Sequence, residues 1–168
     1  YRWTDIIEQV TRSLGAKAIV ARAEVKKRDG DRWPRVQPMT IEEVEKLIEK
    51  HKPRVVFAPH VETSTGVELP AEYVKRIGEA TRKFSDGIFV LDGIAAGTTW
   101  IDTKSNLVDA YITAPQKGWS APACVGVVIL NERGEKAARG TDSVGSASDS
   151  MALNLRKWLE VSDAYDKG

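Results

Sequence analysis

Apolar residues recur at intervals of three and four positions in four segments of the chain, the spacing that predicts an amphipathic helix. In the clearest segment, Thr40-Ile41-Glu42-Glu43 forms a capping box and His51-Lys52-Pro53 supplies the stop. One apolar face would then consist of Ile41, Val44, Leu47 and Ile48. The same spacing predicts helices over residues 4–14, from about 70 to 84, and over 150–164.

Short, mainly apolar runs lie between these segments and predict strands. The predicted strands are residues 16–23, 55–58, 88–91, 107–113 and 125–130. The polar stretch before Thr40 predicts a loop, and the small and charged residues of 134–148 predict a mobile surface connection. Helices and strands alternate at short spacing, so the chain is predicted to have an α/β fold, a mainly parallel sheet with helices on both faces.

Ionisable and hydroxyl side chains follow three of the predicted strands. The strand predicted over 55–58 runs into a loop that contains Thr63-Ser64-Thr65. Asp92 ends the strand predicted over 88–91, and Lys117 comes after the strand predicted over 107–113. Ligands of open parallel sheets bind beyond the carboxyl ends of the strands, so these groups are expected to meet in one crevice. An amine can hold an aldehyde as a Schiff base, and a buried carboxylate can keep a pyridine nitrogen protonated. The set therefore points to pyridoxal phosphate as cofactor.

Each of these residues also has a simpler structural interpretation. Most lysines are solvated charges, although Lys117 stands between an apolar strand and Gly118-Trp119, a poor place for a solvent face. Asp92 could cap a turn with the glycine that follows it, and Thr63-Ser64-Thr65 could satisfy the backbone of its own loop. Neighbouring residues are assigned structural parts: His60 as a hydrogen-bonded residue, Glu62 in orienting the loop, Trp100 and Trp119 in packing, and Cys124 in the core.

Three motifs together resemble the class V aminotransferases of the alanine/serine–glyoxylate type. They are His60-Val61-Glu62-Thr63-Ser64-Thr65-Gly66, Val90-Leu91-Asp92-Gly93-Ile94-Ala95 and Gln116-Lys117-Gly118-Trp119. The resemblance covers nearly the whole chain and keeps the order of the family's motifs, which makes it more specific than any one of them. It implies the fold-type-I fold of enzymes that use pyridoxal phosphate.

The resemblance also implies a role for each matching residue. Lys117 would form the Schiff base with the cofactor, and Asp92 would pair with the pyridinium nitrogen. Thr63 would bond the phenolic oxygen of the ring, Gln116 would lie beside the phosphate, and Ile94 would pack against one ring face. The implied reaction is transamination, in which an amino group moves from a small amino acid to a 2-oxo acid such as glyoxylate or pyruvate.

Members of this family are longer, so residues 1–168 are interpreted as an incomplete cofactor-binding large domain. The C-terminal small domain, the phosphate-binding turn, the ring-stacking aromatic residue and the arginine for the substrate carboxylate are expected outside it. The family implies a homodimer, and the isolated segment is expected to be inactive. Two alternatives stay open: another class V reaction of the racemase or lyase type, or a cofactor-free module in which Lys117 and Asp92 form an ion pair.

Composition narrows the partners and the compartment. The formal net charge is +1, and Lys26-Lys27-Arg28 is the only basic run, so no nucleic acid is expected. No apolar stretch approaches the ~20 residues that span a bilayer, and a single cysteine cannot form an internal disulfide. A cytoplasmic protein without membrane contact is therefore expected. The sequence contains no Cys/His cluster with metal-ligand spacing and no Gly-rich nucleotide loop, so no metal site is predicted.

Overall fold

The computed structural model describes residues 2–140 and 151–167. The helices are α1 (Arg2–Ser13), α2 (Ile41–His51), α3 (Ala71–Phe84), α4 (Glu132–Arg139) and α5 (Leu155–Asp166), with a 3₁₀ turn at Met151–Leu153. The strands are β1 (Glu24–Lys26), β2 (Arg35–Gln37), β3 (Val55–Pro59), β4 (Val61–Glu62), β5 (Val67–Glu68), β6 (Ile88–Asp92), β7 (Ala110–Thr113) and β8 (Val127–Leu130).

A four-stranded sheet in the order β3-β6-β7-β8 forms the centre of the fold. The strands β3, β6 and β7 are parallel, and β8 runs antiparallel to β7. Two antiparallel hairpins, β1-β2 and β4-β5, form separate small sheets. The predicted α/β fold with a mainly parallel sheet is confirmed.

Helices cover the two faces of this sheet to different extents. Strand residues alternate between faces, and the register aligns Ala58 with Leu91 and Leu91 with Tyr111 on one of them. That face packs with α2 and α3 into the core, in which Val74, Phe89 and Leu91 are fully buried. Helix α4 lies against the side chain of Leu130, which belongs to the opposite face.

The local signals for α2 and α3 are confirmed by the structure. The Thr40 side chain accepts a hydrogen bond from the backbone N–H of Glu43, and the Glu43 carboxylate accepts one from the backbone N–H of Thr40 at 3.1 Å. Lys52 ends α2 in a left-handed conformation, with φ 44°. Pro70 is the N-cap of α3, which ends at Phe84 as the spacing predicts.

Three strand predictions are wrong in their position or length, and one of them, 125–130, forms a strand only over Val127–Leu130. Residues 16–23 form no strand; they are mostly exposed, and their many alanines have little preference for a strand. The strands of this region are instead β1 and β2, inside the stretch predicted to be a loop. Strand β7 begins only at Ala110 because Leu107 takes a positive φ of 58°, which an extended strand does not contain.

The stretch 134–148, predicted to be a surface connection, begins as helix. Asn131 caps α4 by accepting a hydrogen bond from the backbone N–H of Gly134 at 2.9 Å, and the helix continues through Arg139. Glu, Lys, Ala and Arg are strong helix formers, which explains the difference. Residues 141–150 lie outside the described residues. Among those described, no helix is long and apolar enough to cross a membrane.

Candidate functional site

The carboxyl ends of β3, β6 and β7 lie side by side. The register pairs Pro59 with Asp92 and Asp92 with Ile112. Just beyond, the backbone N–H of His60 donates to the carbonyl of Asp92, and the N–H of Gly93 donates to the carbonyl of Ile112, each at 2.8 Å. Asp92 is therefore in the middle of the edge, with the hydroxyl loop on one side and the strand that leads to Lys117 on the other.

Asp92 is buried at this edge, with 7% of its surface exposed. One of its carboxylate oxygens accepts a hydrogen bond from the backbone N–H of Ile94 at 2.9 Å. The turn-capping interpretation is thus correct, and it holds together with burial. Because the Asp92 carboxylate is buried and bonded to the backbone of the following turn, its position is fixed. A fixed, buried carboxylate is suited to pair with a cationic group.

Tyr111 supports the turn after Asp92 and was not recognised in the sequence. Its ring fills the space that a Cβ on Gly93 would occupy, so a side chain there would overlap it. Burial raises the pKa of Tyr111, and the negative charge of Asp92 adds to the rise. The alternation of β7 could have placed Tyr111 on the covered face, but the contact with Gly93 depends on the register between β6 and β7.

The loop after β4 is organised by the carboxylate of Glu62. This carboxylate accepts hydrogen bonds from the backbone N–H groups of Ser64 at 3.1 Å and Thr65 at 2.8 Å, and from the Ser64 hydroxyl at 2.7 Å. Burial acts to raise the pKa of Glu62, but these hydrogen bonds together outweigh it, so the pKa is lowered. The loop closes at Gly66, whose φ of 67° favours glycine.

Thr63 differs from the two hydroxyl residues that follow it. The Ser64 hydroxyl is bonded to Glu62, and the Thr65 hydroxyl donates weakly to the Glu62 carbonyl at 3.5 Å. Thr63 is exposed, and its hydroxyl makes no hydrogen bond within the described part of the chain. The hydroxyl groups of Ser64 and Thr65 are therefore used within the loop, whereas the Thr63 hydroxyl is exposed and available to a ligand.

Lys117 and Gln116 lie on a turn beyond the end of β7, and both are exposed. The expectation that Lys117 avoids a solvent face is wrong for the described residues, because β7 stops at Thr113 and the turn carries the lysine away from the sheet. The turn is fixed by its backbone, since the N–H of Lys117 donates to the carbonyl of Ala114 at 3.3 Å. The Lys117 ammonium group has no ion-pair partner among the residues described.

Two contacts connect the loop after Asp92 to the loop that carries Lys117. Gly97 and Gly118 touch through their backbones, and a Cβ on Gly118 would overlap the Cα of Gly97. Trp100 and Trp119 stack with ring centroids 6.2 Å apart and an interplanar angle of 22°. Ile94 follows Asp92 by two residues in the same loop, and it is half-buried.

His60 is deeply buried, and in the part of the chain that the structure describes its side chain lacks the hydrogen bond expected from the sequence. It is 3% exposed, and its Nδ1 atom has no hydrogen-bond partner among the described residues. Its Nε2 atom lies 3.9 Å from a carboxylate oxygen of Glu68. Burial lowers the pKa of His60, and the Glu68 charge opposes this only in part. The side chain is therefore not the hydrogen-bonded residue that the sequence suggested, although its backbone bonds to Asp92.

Cys124 is exposed and precedes β8, so its assignment to the core is wrong. The apolar run that suggested burial forms a strand only from Val127 onward. Within the described residues, no group of three or more His, Cys, Asp or Glu side chains could hold a metal ion.

Comparison with known proteins decides the family. The model of the family "Aminotransferase class-V" matches residues 9–168. The chain belongs to this family. The resemblance carried by the three motifs is confirmed.

Two relatives named for glyoxylate are similar to this chain over part of their length. The chain is 37% identical over 93 residues to the (S)-ureidoglycine–glyoxylate transaminase of Bacillus subtilis (strain 168), covering 55% of this chain and 21% of that protein. It is 30% identical over 105 residues to the serine–glyoxylate aminotransferase of Methylorubrum extorquens, covering 62% of this chain and 26% of that protein. The chain therefore spans about a quarter of the length of these relatives.

Solved structures of two glyoxylate aminotransferases show the same fold. The ureidoglycine–glyoxylate aminotransferase of Bacillus subtilis matches with a TM-score of 0.61 and 30% identity, over 76% of this chain and 31% of that one. The alanine–glyoxylate aminotransferase of Nostoc sp. matches with a TM-score of 0.58 and 21% identity, over the same shares. The expected fold-type-I architecture is confirmed.

Proposed function

We propose that the protein containing this chain is a pyridoxal-phosphate-dependent aminotransferase that moves an amino group from a small amino acid to a 2-oxo acid such as glyoxylate. The observation that carries the proposal is that the strands which lead to Thr63, Asp92 and Lys117 are parallel neighbours with their carboxyl ends side by side. The two relatives named for glyoxylate support the choice of acceptor, because they are similar to this chain over 93 and 105 residues.

The described residues fit the cofactor in two respects. The Asp92 carboxylate is buried and fixed by the N–H of Ile94, so a cationic ring nitrogen would be a suitable partner. The Thr63 hydroxyl is the one hydroxyl of its loop that the loop does not use, which suits a bond to an oxygen on the ring. Pyridoxal phosphate, when bound, supplies an aldehyde that takes up amines and a protonated ring that withdraws electrons from the substrate.

The protein's own groups then have distinct tasks. Asp92 would hold the proton on the ring nitrogen, and Thr63 would donate to the phenolic oxygen. Gln116 would lie beside the phosphate, and Ile94 would pack against one face of the ring. Lys117 would hold the aldehyde carbon through Nζ and, once an incoming amino acid has displaced it, would move the α-proton of that amino acid to the former aldehyde carbon.

The covalent part of the proposal is tested by borohydride reduction of the intact protein with pyridoxal phosphate, followed by peptide mass mapping. We expect the pyridoxyl mass on Lys117, and its loss in Lys117→Gln. Lys104→Gln is the matched control, because Lys104 is another exposed loop lysine and should leave the label unchanged. Absence of a label, or a label on another lysine only, would refute the assignment.

The reaction itself is tested with small amino acids as donors and glyoxylate or pyruvate as acceptor. We expect a keto acid and a new amino acid in equal amounts, with ping-pong kinetics. Loss of chirality or elimination without consumption of the acceptor would replace transamination by a racemase or lyase reaction. We further propose a homodimer, which rests on the family resemblance and is tested by light scattering of the intact protein. A cytoplasmic location, which rests on the composition of the sequence, is tested by fractionation of cells.

A further inference from the structure

Two loops that follow adjacent strands of the candidate site contact each other. The Asp92 loop, residues 93–100, follows β6, and the Lys117 loop, residues 114–121, follows β7. Each loop contributes one glycine and one tryptophan to the contacts between them. Gly97 takes a left-handed φ of 59° and meets Gly118, and Trp100 stacks on Trp119.

The tryptophan stack lies outside the core of the domain. Trp100 is 75% exposed and Trp119 is 38% exposed, and neither belongs to the buried cluster that α2, α3 and the sheet form. Removing a ring from this pair therefore takes nothing from the core. What it removes is a connection between the two loops.

The spacing of these loops matters because their functional groups serve opposite ends of one rigid ring. On the proposed function, Asp92 binds the ring nitrogen and Lys117 binds the aldehyde carbon, which lies across the ring from that nitrogen. Because the ring is rigid, a shift of the group that binds one end displaces the other end as well. A displacement of about 1 Å at a reacting group can cost on the order of 100-fold in rate.

We propose that Trp100 and Trp119 are positioning residues, whose stack sets the distance between the Lys117 amine and the Asp92 carboxylate. The inference rests on the proposed function. An aromatic pair of this kind contributes an interaction equivalent to about a 3- to 10-fold change in an equilibrium constant. Loss of the stack is therefore expected to weaken retention of pyridoxal phosphate by about that factor and to slow its covalent attachment to Lys117.

The test uses the intact protein with Trp100→Ala, Trp119→Ala and the double variant. The measurements are the dissociation constant of pyridoxal phosphate, the rate of attachment at Lys117, and the circular-dichroism signal of the stacked indoles. We expect each single variant to lose the indole signal and to bind the cofactor 3- to 10-fold more weakly. The double variant should be no weaker than either single one, because both remove the same interaction.

Two further variants separate positioning from general loss of a surface aromatic residue. Trp100→Phe keeps an aromatic ring for the stack and should recover most of the affinity. Trp33→Ala removes a tryptophan that is 73% exposed and lies near Arg32, and it should behave as the wild type. If Trp100→Ala unfolds, Trp119→Ala and Trp100→Phe still test the proposal.

The outcomes distinguish this inference from the proposed function. Wild-type protein that takes no label at Lys117 refutes the proposed function and the inference with it. Wild-type labelling together with unchanged cofactor affinity in Trp100→Ala refutes the stack alone. Additive losses in the double variant, or an equal loss in Trp33→Ala, also overturn the positioning role.

Discussion

The charged centre at the amino end of β7 allows a quantitative test of what holds the sheet. Asp109 is fully buried, and its carboxylate accepts from the backbone N–H of Phe89 at 2.9 Å and from the side chain of Asn131 at 2.9 Å. Arg82 at 3.3 Å and Arg133 at 3.4 Å neutralise it. Asp109 thus connects β6, β7, the N-cap of α4 and the last turn of α3.

The change Asp109→Asn keeps the size of the side chain and removes its charge. The amide must turn a donor toward at least one group that already donates, and an unsatisfied buried N–H costs about 1–3 kcal/mol. The two arginines are 35% and 43% exposed, so water can solvate them and their loss adds about 1 kcal/mol rather than the full penalty of a broken buried pair. We expect a total near 3 kcal/mol.

Hydrogen exchange of the β6 amides in the intact protein measures this effect locally. A loss of about 3 kcal/mol corresponds to roughly 100-fold faster exchange, since each 1.4 kcal/mol is a factor of ten. Asp86→Asn is the control, because Asp86 is exposed and makes no hydrogen bond or ion pair within the described residues. Exchange of β6 that stays within threefold of the wild type in Asp109→Asn would refute the reasoning.

Three other perturbations concern the site. Glu62→Gln replaces the carboxylate that organises the loop of Thr63, Ser64 and Thr65. Retention of pyridoxal phosphate, measured by equilibrium dialysis, should therefore fall several-fold. Unchanged retention would contradict the role of this loop. Burial lowers the pKa of His60 from its ordinary 6.5, so the unfolded chain binds the proton more tightly and the folded protein should lose stability as the pH falls below about 6.5. In urea titrations at several pH values, His60→Gln should remove this part of the pH dependence of stability. A pH dependence in His60→Gln equal to that of the wild type would count against the role of His60. Gly93→Ala should destabilise the protein by about 1–3 kcal/mol because its methyl group overlaps Tyr111. Gly126→Ala is the control, because its methyl group meets no atom within 4 Å and should not destabilise the protein. Equal thermal unfolding midpoints of the two variants would exclude the overlap.

The parts of the fold that were predictable are those whose signals are local. The capping box at Thr40, the proline at the start of α3 and the apolar run that ends at Asp92 each act within a few residues, and each appears at the predicted place. Residues 16–23 show the limit of such reasoning. Their apolar character is compatible with a strand, but a strand also needs a neighbour to pair with, and sequence spacing contains no information about that neighbour.

The candidate site shows the same division. The sequence predicted that the strands leading to Thr63, Asp92 and Lys117 end at one edge, and the parallel register of β3, β6 and β7 confirms that part. The contacts of Tyr111 with Gly93 and of Gly97 with Gly118 depend on register and on the path of two loops. Such contacts involve residues far apart in sequence, and no local pattern indicates them.

The different burial of Asp92 and Lys117 follows from what each would do on the proposed function. Asp92 keeps one partner throughout, so a position fixed by burial and by the N–H of Ile94 is an advantage. Lys117 must bind the aldehyde, release it and then carry a proton between two carbons. A long, flexible stem on an exposed turn, with no side-chain hydrogen bond to the described residues, permits that movement, while the backbone of the turn stays fixed by Ala114. On the proposed function the site would therefore combine a rigid carboxylate with a mobile amine, and the contacts between their loops would set the range over which that amine can act.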